Sequence, residues 1–389
     1  MPRDSIWTLT DTAHHVWLDT FVLENSVLGL SSPHTWSVRK TTLRGGLSDG
    51  VDAITVDTGQ LSFNILPTRG MGLWRGNYRG LSLGWQSPVR GPVHPRFVAA
   101  AERGGLGWLR GFDEWLCRCG LVSYGPPGTD NGGALTLHGR IANLPAHQVQ
   151  VQVDQEPPYT ILVSGQVAES ELFGPNLLLT TTYTTQPGSN RVEIHDVVEN
   201  RAAGAAEFQL LYHCNLGPPF LEAGSKVLFP IRELAPLTPR AAEDIDTYQT
   251  YLGPTPDYSE QVYVADVATD EAGQTLAALT NATADRAVVL RWSRKELPCF
   301  TVWKNTAPLA DGYVTGLEPA TGFPNFKTFE RQQGRVPQLP SGGRWECTWS
   351  IEAHDTAADV KGVAEEVALL QARVAPSIHR APRAPFSPG

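Results

Sequence analysis

The chain has 389 residues, of which 41% are apolar and 18% charged, and a formal net charge of −9. That length can bury a large core, as one big all-β domain with additions or as two to three ordinary domains. The acidic balance and the lack of any Lys/Arg run exclude the basic face that a nucleic acid requires, and no stretch approaches the ~18 apolar residues of a membrane span.

The start, MPRDSIWTLT, has no apolar core of a secretion signal, and five Cys residues are too few and too scattered for a disulfide framework. The expectation is a reduced, cytoplasmic protein without nucleic-acid or membrane partners. Residues 1–40 are expected to be an N-terminal extension packed on the main body. In Val51 to Leu66, Ile54 and Val56 precede Leu61, Phe63 and Ile65 at period two, split by Gly59. That is a hairpin pattern. Pro67 to Gly133 is different: long, rich in Gly, Trp and Arg, and poor in alternation. Its aromatic content argues for an ordered excursion over one face.

Beyond it the strand signal dominates. Val149, Val151 and Val153 alternate, and Tyr159, Ile161 and Val163 answer them across Pro157-Pro158. Leu177 to Thr185 turns at Gln186–Asn190 and returns through Val192, Ile194 and Val197. Further strands are predicted at Phe208–Tyr212, Gln261–Val267, Ala287–Trp292, Phe300–Trp303, Tyr313–Leu317 and Trp345–Ile351. Many short strands with turn chemistry between them predict a mainly β fold over residues 41–355, a sandwich or a barrel. Val360, Val363, Val367 and Leu370 share one helical face, so 356–389 reads as a C-terminal helix and tail. The Pro-rich end after Pro376 is expected to fray.

Catalytic motifs of the common kinds are missing. Gly46-Leu-Ser48-Asp-Gly50 and Gly80-Leu-Ser82-Leu-Gly84 match the nucleophile pattern G-x-S-x-G but lack its strand-before, helix-after context. Cys117-Arg-Cys119 has no second pair to complete a metal site and reads as buried thiols. More informative are three segments that each put one ionisable group at a strand end beside Gly or Pro: Leu137-His138-Gly139-Arg140, Tyr212-His213-Cys214-Asn215-Leu216-Gly217 and Gly316-Leu317-Glu318-Pro319. Binding residues gather at such rims.

These segments resemble those of the aldose 1-epimerases (galactose mutarotases). Tyr-His-Cys-Asn-Leu-Gly is similar to their Asn-His-x-Tyr-Phe-Asn-Leu, Leu-His-Gly to their upstream His-Gly, and Gly-Leu-Glu-Pro to their late Leu-Glu-Thr. The order His, His, Glu is the family order, with gaps of 75 and 105 residues. Leu66-Pro-Thr-Arg69-Gly-Met-Gly72 and Gly111-Phe-Asp-Glu-Trp-Leu-Cys-Arg-Cys-Gly-Leu121 resemble an epimerase-like branch of unassigned function. Tyr212 replaces the family's Asn, and Cys214 alone stands where it has a Tyr-Phe pair.

The resemblance implies a large antiparallel β-sandwich, the galactose mutarotase-like supersandwich, in an enzyme that interconverts the anomers of a small-molecule carbohydrate. It implies His213 as general acid, Glu318 as general base and His138 as a sugar contact, with no metal or cofactor. For the carboxylate that holds sugar hydroxyls, Asp257 is the first candidate and Glu260 the next. Arg69, Arg140 and Lys304 are candidate hydroxyl donors, Lys304 because it follows an apolar strand. Trp85, Trp108 and Trp303 are candidate stacking platforms. The acid and base are expected on opposite sides of a sugar-sized gap in an open cleft, with Arg69 brought toward it. Two other readings stay open: a different acid–base isomerase or lyase on the same fold, and a non-catalytic carbohydrate-binding module.

Overall fold

The computed structural model describes residues 4–388. Strands take up 42% of the chain and helices 14%, far above the ~20–25% strand average. Nearly all strands belong to two sheets, of ten and thirteen strands. Their strand pairs are antiparallel, except that Ser377–Ile378 runs parallel to Ile231–Pro236.

Alternation explains why the sheets stack. In Gln148–Asp154 the three Val side chains are fully buried while the Gln residues between them stay partly exposed. The next strand, Ile161–Ser170, sets Val163 opposite Val151. In the other sheet Leu61, Phe63 and Ile65 turn inward in the same way. Both sets join one core between the sheets, the arrangement that buries an apolar face of each sheet. A salt bridge also crosses this core. Arg118 of the larger sheet meets Asp196 of the smaller through Nε–Oδ2 at 2.5 Å and Nη2–Oδ1 at 2.9 Å. Its other donors reach Met71 O, Tyr183 and Thr181. A buried ion pair is tolerated when every donor is used in this way.

Five strands of the larger sheet matter below: β1 (Leu116–Leu121), β2 (Gln209–Leu216), β3 (Gln261–Val267), β4 (Cys299–Asn305) and β5 (Val314–Ala320). They are neighbours in the order β3-β4-β5-β2-β1. One face of each lies on the inter-sheet core. The other carries a second apolar cluster of Trp108, Phe112, Cys117, Cys119, Tyr124, Leu211 and Ala320. β1 lies inside the Pro67–Gly133 excursion. All six of its residues are buried, so it shows none of the alternation that marks a half-exposed strand.

The described part of the expected N-terminal extension, 4–40, supplies strands to both sheets. Asp4–Asp11 pairs with Gln148–Asp154 in the ten-stranded sheet, and Thr20–Glu24 and Ser37–Thr42 form an edge of the other. The described tail is anchored at Phe386, which is only 4% exposed, packed with Val264, Cys299 and Phe323, and whose carbonyl accepts from Asn325 Nδ2 at 2.9 Å. Buried apolar area holds this Pro-rich segment. The expectation of an open cleft needs correction, below. The C-terminal helix, Ala357–Gln371, begins at Thr356, whose hydroxyl accepts from Asp359 N. It lays Val360, Val363 and Leu370 on Leu276, Ala278, Ala287 and Val289.

Candidate active site

Strand register assembles the site from distant segments. Cys117 of β1 is opposite His213 of β2. The pairs Leu211–Ala320 and Cys214–Leu317 set His213 opposite Glu318 of β5. Glu318 is in turn opposite Thr301 of β4, and Thr301 opposite Val264 of β3. Residues opposite one another share a face, so Cys117, His213, Glu318, Thr301 and Val264 form one row across the sheet. The adjacent row on that face is Asn215, Gly316 and Trp303. Gly316 gives the pair its space: a Cβ there would collide with the Glu318 carboxyl and lie 3.1 Å from His213 Cε1.

His213 Nε2 stands 3.2 Å from Glu318 Oε1, and the residues are 5% and 3% exposed. The imidazole is walled by Phe112, with ring centroids 5.1 Å apart, by Trp303 at 5.3 Å and by His138 at 5.5 Å. His138 lies edge-on to Trp108 at 4.5 Å, and its Nδ1 bonds Tyr124 O at 3.0 Å. Burial pushes the His213 pKa down to about 3, with His138 adding to the shift, and burial pushes His138 down to about 4. Burial, reinforced by the nearby Glu260 charge, holds the Glu318 carboxyl well above the usual carboxylate range. All three groups are therefore biased toward their uncharged forms.

The structure thus brings His138, His213 and Glu318 together, on one face of one sheet. It does not hold acid and base apart in an open cleft: they touch, because adjacent strands put opposite side chains within reach.

The basic candidates lie elsewhere. Arg69 is buried and its donors are taken by Glu114, Val93 O, Asn143 and Gly111 O. It pins the long excursion together and offers nothing to a sugar. Lys304 is one residue beyond Trp303, so strand alternation turns it to the opposite face. There Nζ donates to Tyr248 O and Thr250 O over the Tyr251 ring, and burial lowers its pKa to about 8. Arg140 is exposed and lies 3.9 Å from Glu171 on a neighbouring hairpin. Asp257 is exposed, whereas Glu260 accepts from Trp303 Nε1 at 2.7 Å, on the rim of the site.

Four residues were given no role from the sequence: Phe112, Asn215, Thr301 and Gly316. Period two was the available signal for three, since Asn215, Thr301 and Gly316 each lie two residues from His213, Trp303 or Glu318 on the same strand. Asn215 Oδ1 is 2.6 Å from His213 Nδ1. The Thr301 hydroxyl, the Trp108 Nε1 and Glu318 Oε1 are buried with no hydrogen-bond partner, which is rare for buried polar atoms. The five cysteines are buried and unpaired. Among the described residues no three potential metal ligands cluster, and no helix is long and apolar enough to cross a membrane.

A family profile described only as a domain of unknown function, DUF4432, matches residues 48–353. The chain belongs to the DUF4432 family. The matched stretch contains His138, His213 and Glu318. One solved structure similar to this DUF4432 chain is described as a "putative aldose 1-epimerase" from Klebsiella pneumoniae. It is 36% identical, with 98% of this chain and 99% of that one covered and a TM-score of 0.95. A galactose mutarotase-like protein from Clostridium acetobutylicum is 14% identical over 87% of this chain and 99% of its own, with a TM-score of 0.54. A protein from Escherichia coli K12, also described as a "putative aldose 1-epimerase", is 11% identical over 78% and 99%, with a TM-score of 0.52. The last two show the fold alone, which is galactose mutarotase-like. A comparison with curated proteins gives no match.

Proposed function

We propose that this DUF4432 protein is an aldose 1-epimerase-like isomerase that interconverts the anomers of a free sugar. The observation that carries the reading is the contact of His213 Nε2 with Glu318 Oε1 inside an aromatic pocket. Opening an aldose ring requires one group to protonate the ring oxygen and another to take the proton from the C1 hydroxyl. A carboxyl and an imidazole that together carry one proton can do both, and each transfer contributes typically ~10²–10⁴-fold. Ring closure on the other face returns both protons, so the reaction needs no net change in the enzyme.

The surroundings suit a sugar. Trp303, Phe112 and Trp108 supply apolar ring faces, and the unpaired Thr301 hydroxyl and Trp108 Nε1 are the groups we assign to sugar hydroxyls, with His138 beside them. The pair is nearly covered, so a sugar reaches it when the half-buried Trp303 indole, held at Nε1 by Glu260, moves aside. Carbohydrate is thus the partner, and we assign Glu260, rather than Asp257, to the rim.

The test is polarimetry on freshly dissolved pure anomers of a panel of aldoses. Accelerated approach to the equilibrium rotation is the expected result. Binding without acceleration of any aldose overturns the isomerase reading.

A further inference from the structure

A groove of about 350 Å³ lies beyond the aromatic wall of the site, with Arg75, Ser82, Trp85 and Gln86 in its lining. One partition separates it from His213. Trp85 packs on Phe112, with ring centroids 5.1 Å apart, and Phe112 packs on His213. The Trp85 indole is fixed in this partition, because its Nε1 donates to Glu114 O at 3.1 Å.

A bulge builds the cationic end of the groove. In the strand Gly72–Tyr78, Leu73 pairs with Ile65 and Gly76 with Phe63. Trp74 and Arg75 therefore stand together opposite the single residue Asn64. Leu73 belongs to the inter-sheet core, and a Cβ on Gly76 would meet the Trp115 ring there. Bulges re-aim side chains in this way, and the outer side is left to the half-buried Trp74 and the exposed Arg75. Trp74 Nε1 donates to Asp113 Oδ2 at 2.9 Å, which holds the indole. The Arg75 guanidinium lies over that indole, 4.5 Å from the ring centroid. A stacked guanidinium keeps the edges of its fork free to donate. Among the described residues no carboxylate forms an ion pair with Arg75. Asp113 feels its charge but bonds Trp74 instead. Nearby arginines are matched: Arg79 with Asp355, Arg96 with Asp49 and Arg110 with Glu102. In a chain of net charge −9, a flat-held arginine without a counter-ion on the wall of a groove suits an anion.

The rest of the groove suits a sugar. Trp85 is half-buried and supplies an apolar surface, and Ser82 and Gln86 are exposed, with side chains that bond nothing in the described chain. An apolar platform with a few convergent polar groups is the usual make-up of a small-molecule site. The catalytic pocket offers an anionic sugar no such partner. The donors of Arg69 are spent on Glu114, Asn143 and two carbonyls, Lys304 is on the other face, and Glu260 stands at the rim.

We propose that this groove is a second binding site, separate from the catalytic pocket, for a saccharide that carries an anionic group, a carboxylate or a phosphate. Arg75 holds the anion through its fork, Ser82 and Gln86 hold hydroxyls, and Trp85 packs against the ring. The proposal goes beyond the isomerase reading and stands whether or not an aldose is turned over.

The test is binding to the full chain at low ionic strength, followed by the indole N–H resonances of Trp74, Trp85 and Trp303, each identified by its Trp→Phe variant. The ligands are glucuronate, galacturonate, glucose 6-phosphate and galactose 6-phosphate, with glucose, acetate and inorganic phosphate as comparisons. At least one anionic sugar should shift Trp74 and Trp85 saturably and leave Trp303 in place. Its affinity should fall with added salt, and the tighter class names the anion. Arg75→Gln should weaken binding by ~10-fold or more, whereas Arg79→Gln should not. Ser82→Trp, which fills the groove from another strand, should abolish it. Glucose binding there as tightly would show that the anion plays no part. Acetate or inorganic phosphate binding as tightly would leave a bare ion site and overturn the saccharide. A shift of Trp303 alone would put the ligand in the catalytic pocket. Each of these, unchanged affinity in Arg75→Gln or Ser82→Trp, or no saturable binding at all, overturns the proposal.

Discussion

Glu318 and His213 are 105 residues apart in sequence and directly opposite on adjacent strands, with Oε1 and Nε2 3.2 Å apart. A concerted ring opening uses both. His213→Asn and Glu318→Gln, which keep size but end proton transfer, should each lower kcat by ~10²–10⁴-fold with sugar affinity held within a few-fold. The double variant should lose far less than the product of the two, as groups acting as a unit do. Single-turnover rates on one anomer check this. A Glu318→Gln enzyme at full speed would remove the proposed acid–base pair.

Arg69 and Glu114 make a second prediction. The ion pair is fully buried, with Nη2–Oε1 at 2.5 Å. Glu114 is also the residue whose backbone carbonyl holds Asn215 and Trp85 Nε1. Removing one partner strands a buried charge, so Arg69→Ala should cost on the order of 3–5 kcal/mol. Denaturant unfolding measures it. Activity that survives per folded molecule should show a reduced kcat, because Arg69 acts through Asn215 and His213. A change confined to KM would reinstate Arg69 as a sugar contact.

Much of the architecture was legible because half-buried strands announce themselves. Val149, Val151 and Val153 alternate with Gln, and their hairpin partner falls where the pattern sets it. β1 was not legible. Its one face is packed by Leu116 and the Arg118 ion pair and its other by Cys117 and Cys119, so no period remained. His138, His213 and Glu318 were found through short motifs, whereas their contact depends on register between β2 and β5, which no local pattern encodes. Lys304 shows the opposite failure: the alternation was present, and one residue of it moved the ammonium to the core side.

Glu260 tests the electrostatics from outside the pair. It is exposed, bonded to Trp303, and its charge helps burial to hold the Glu318 proton. Glu260→Gln removes that repulsion, so Glu318 should lose its proton at a lower pH. The alkaline limb of the kcat profile should move to lower pH, and by less at high salt, since exposed charges are screened. An unmoved limb excludes Glu260 as an influence on the pair.

His213 links the site to acid stability. Its pKa falls from 6.5 to about 3, chiefly through burial, so between these values the unfolded chain binds a proton that the folded one does not. Stability then rises with pH across that window. The contribution is complete above about 6.5 and is lost as pH falls toward about 3. Calorimetry between pH 7 and pH 4.5 should show a shallower fall of Tm for His213→Gln than for the wild type. Equal slopes would mean that the ring is protonated in the fold.

Gly316 gives a test of geometry without touching a titratable group. Its backbone is ordinary strand, so a methyl group there brings no conformational strain of its own. The added carbon would run into the Glu318 carboxyl and come within 3.1 Å of His213 Cε1 and 3.3 Å of Nδ1. One of the two side chains must shift, and the Glu318 end is the freer. Overpacking of this kind costs ~1–3 kcal/mol, and a misplacement of about 1 Å at a reacting group costs ~10²-fold in rate. Gly165 is the control. A Cβ there would meet the Met71 side chain in the inter-sheet core, which also overpacks but lies behind the sheet. Gly316→Ala and Gly165→Ala should therefore lose comparable stability in denaturant unfolding, while only Gly316→Ala loses kcat. Equal activity of the two variants per folded molecule would mean that the contact between His213 and Glu318 is not the reacting geometry.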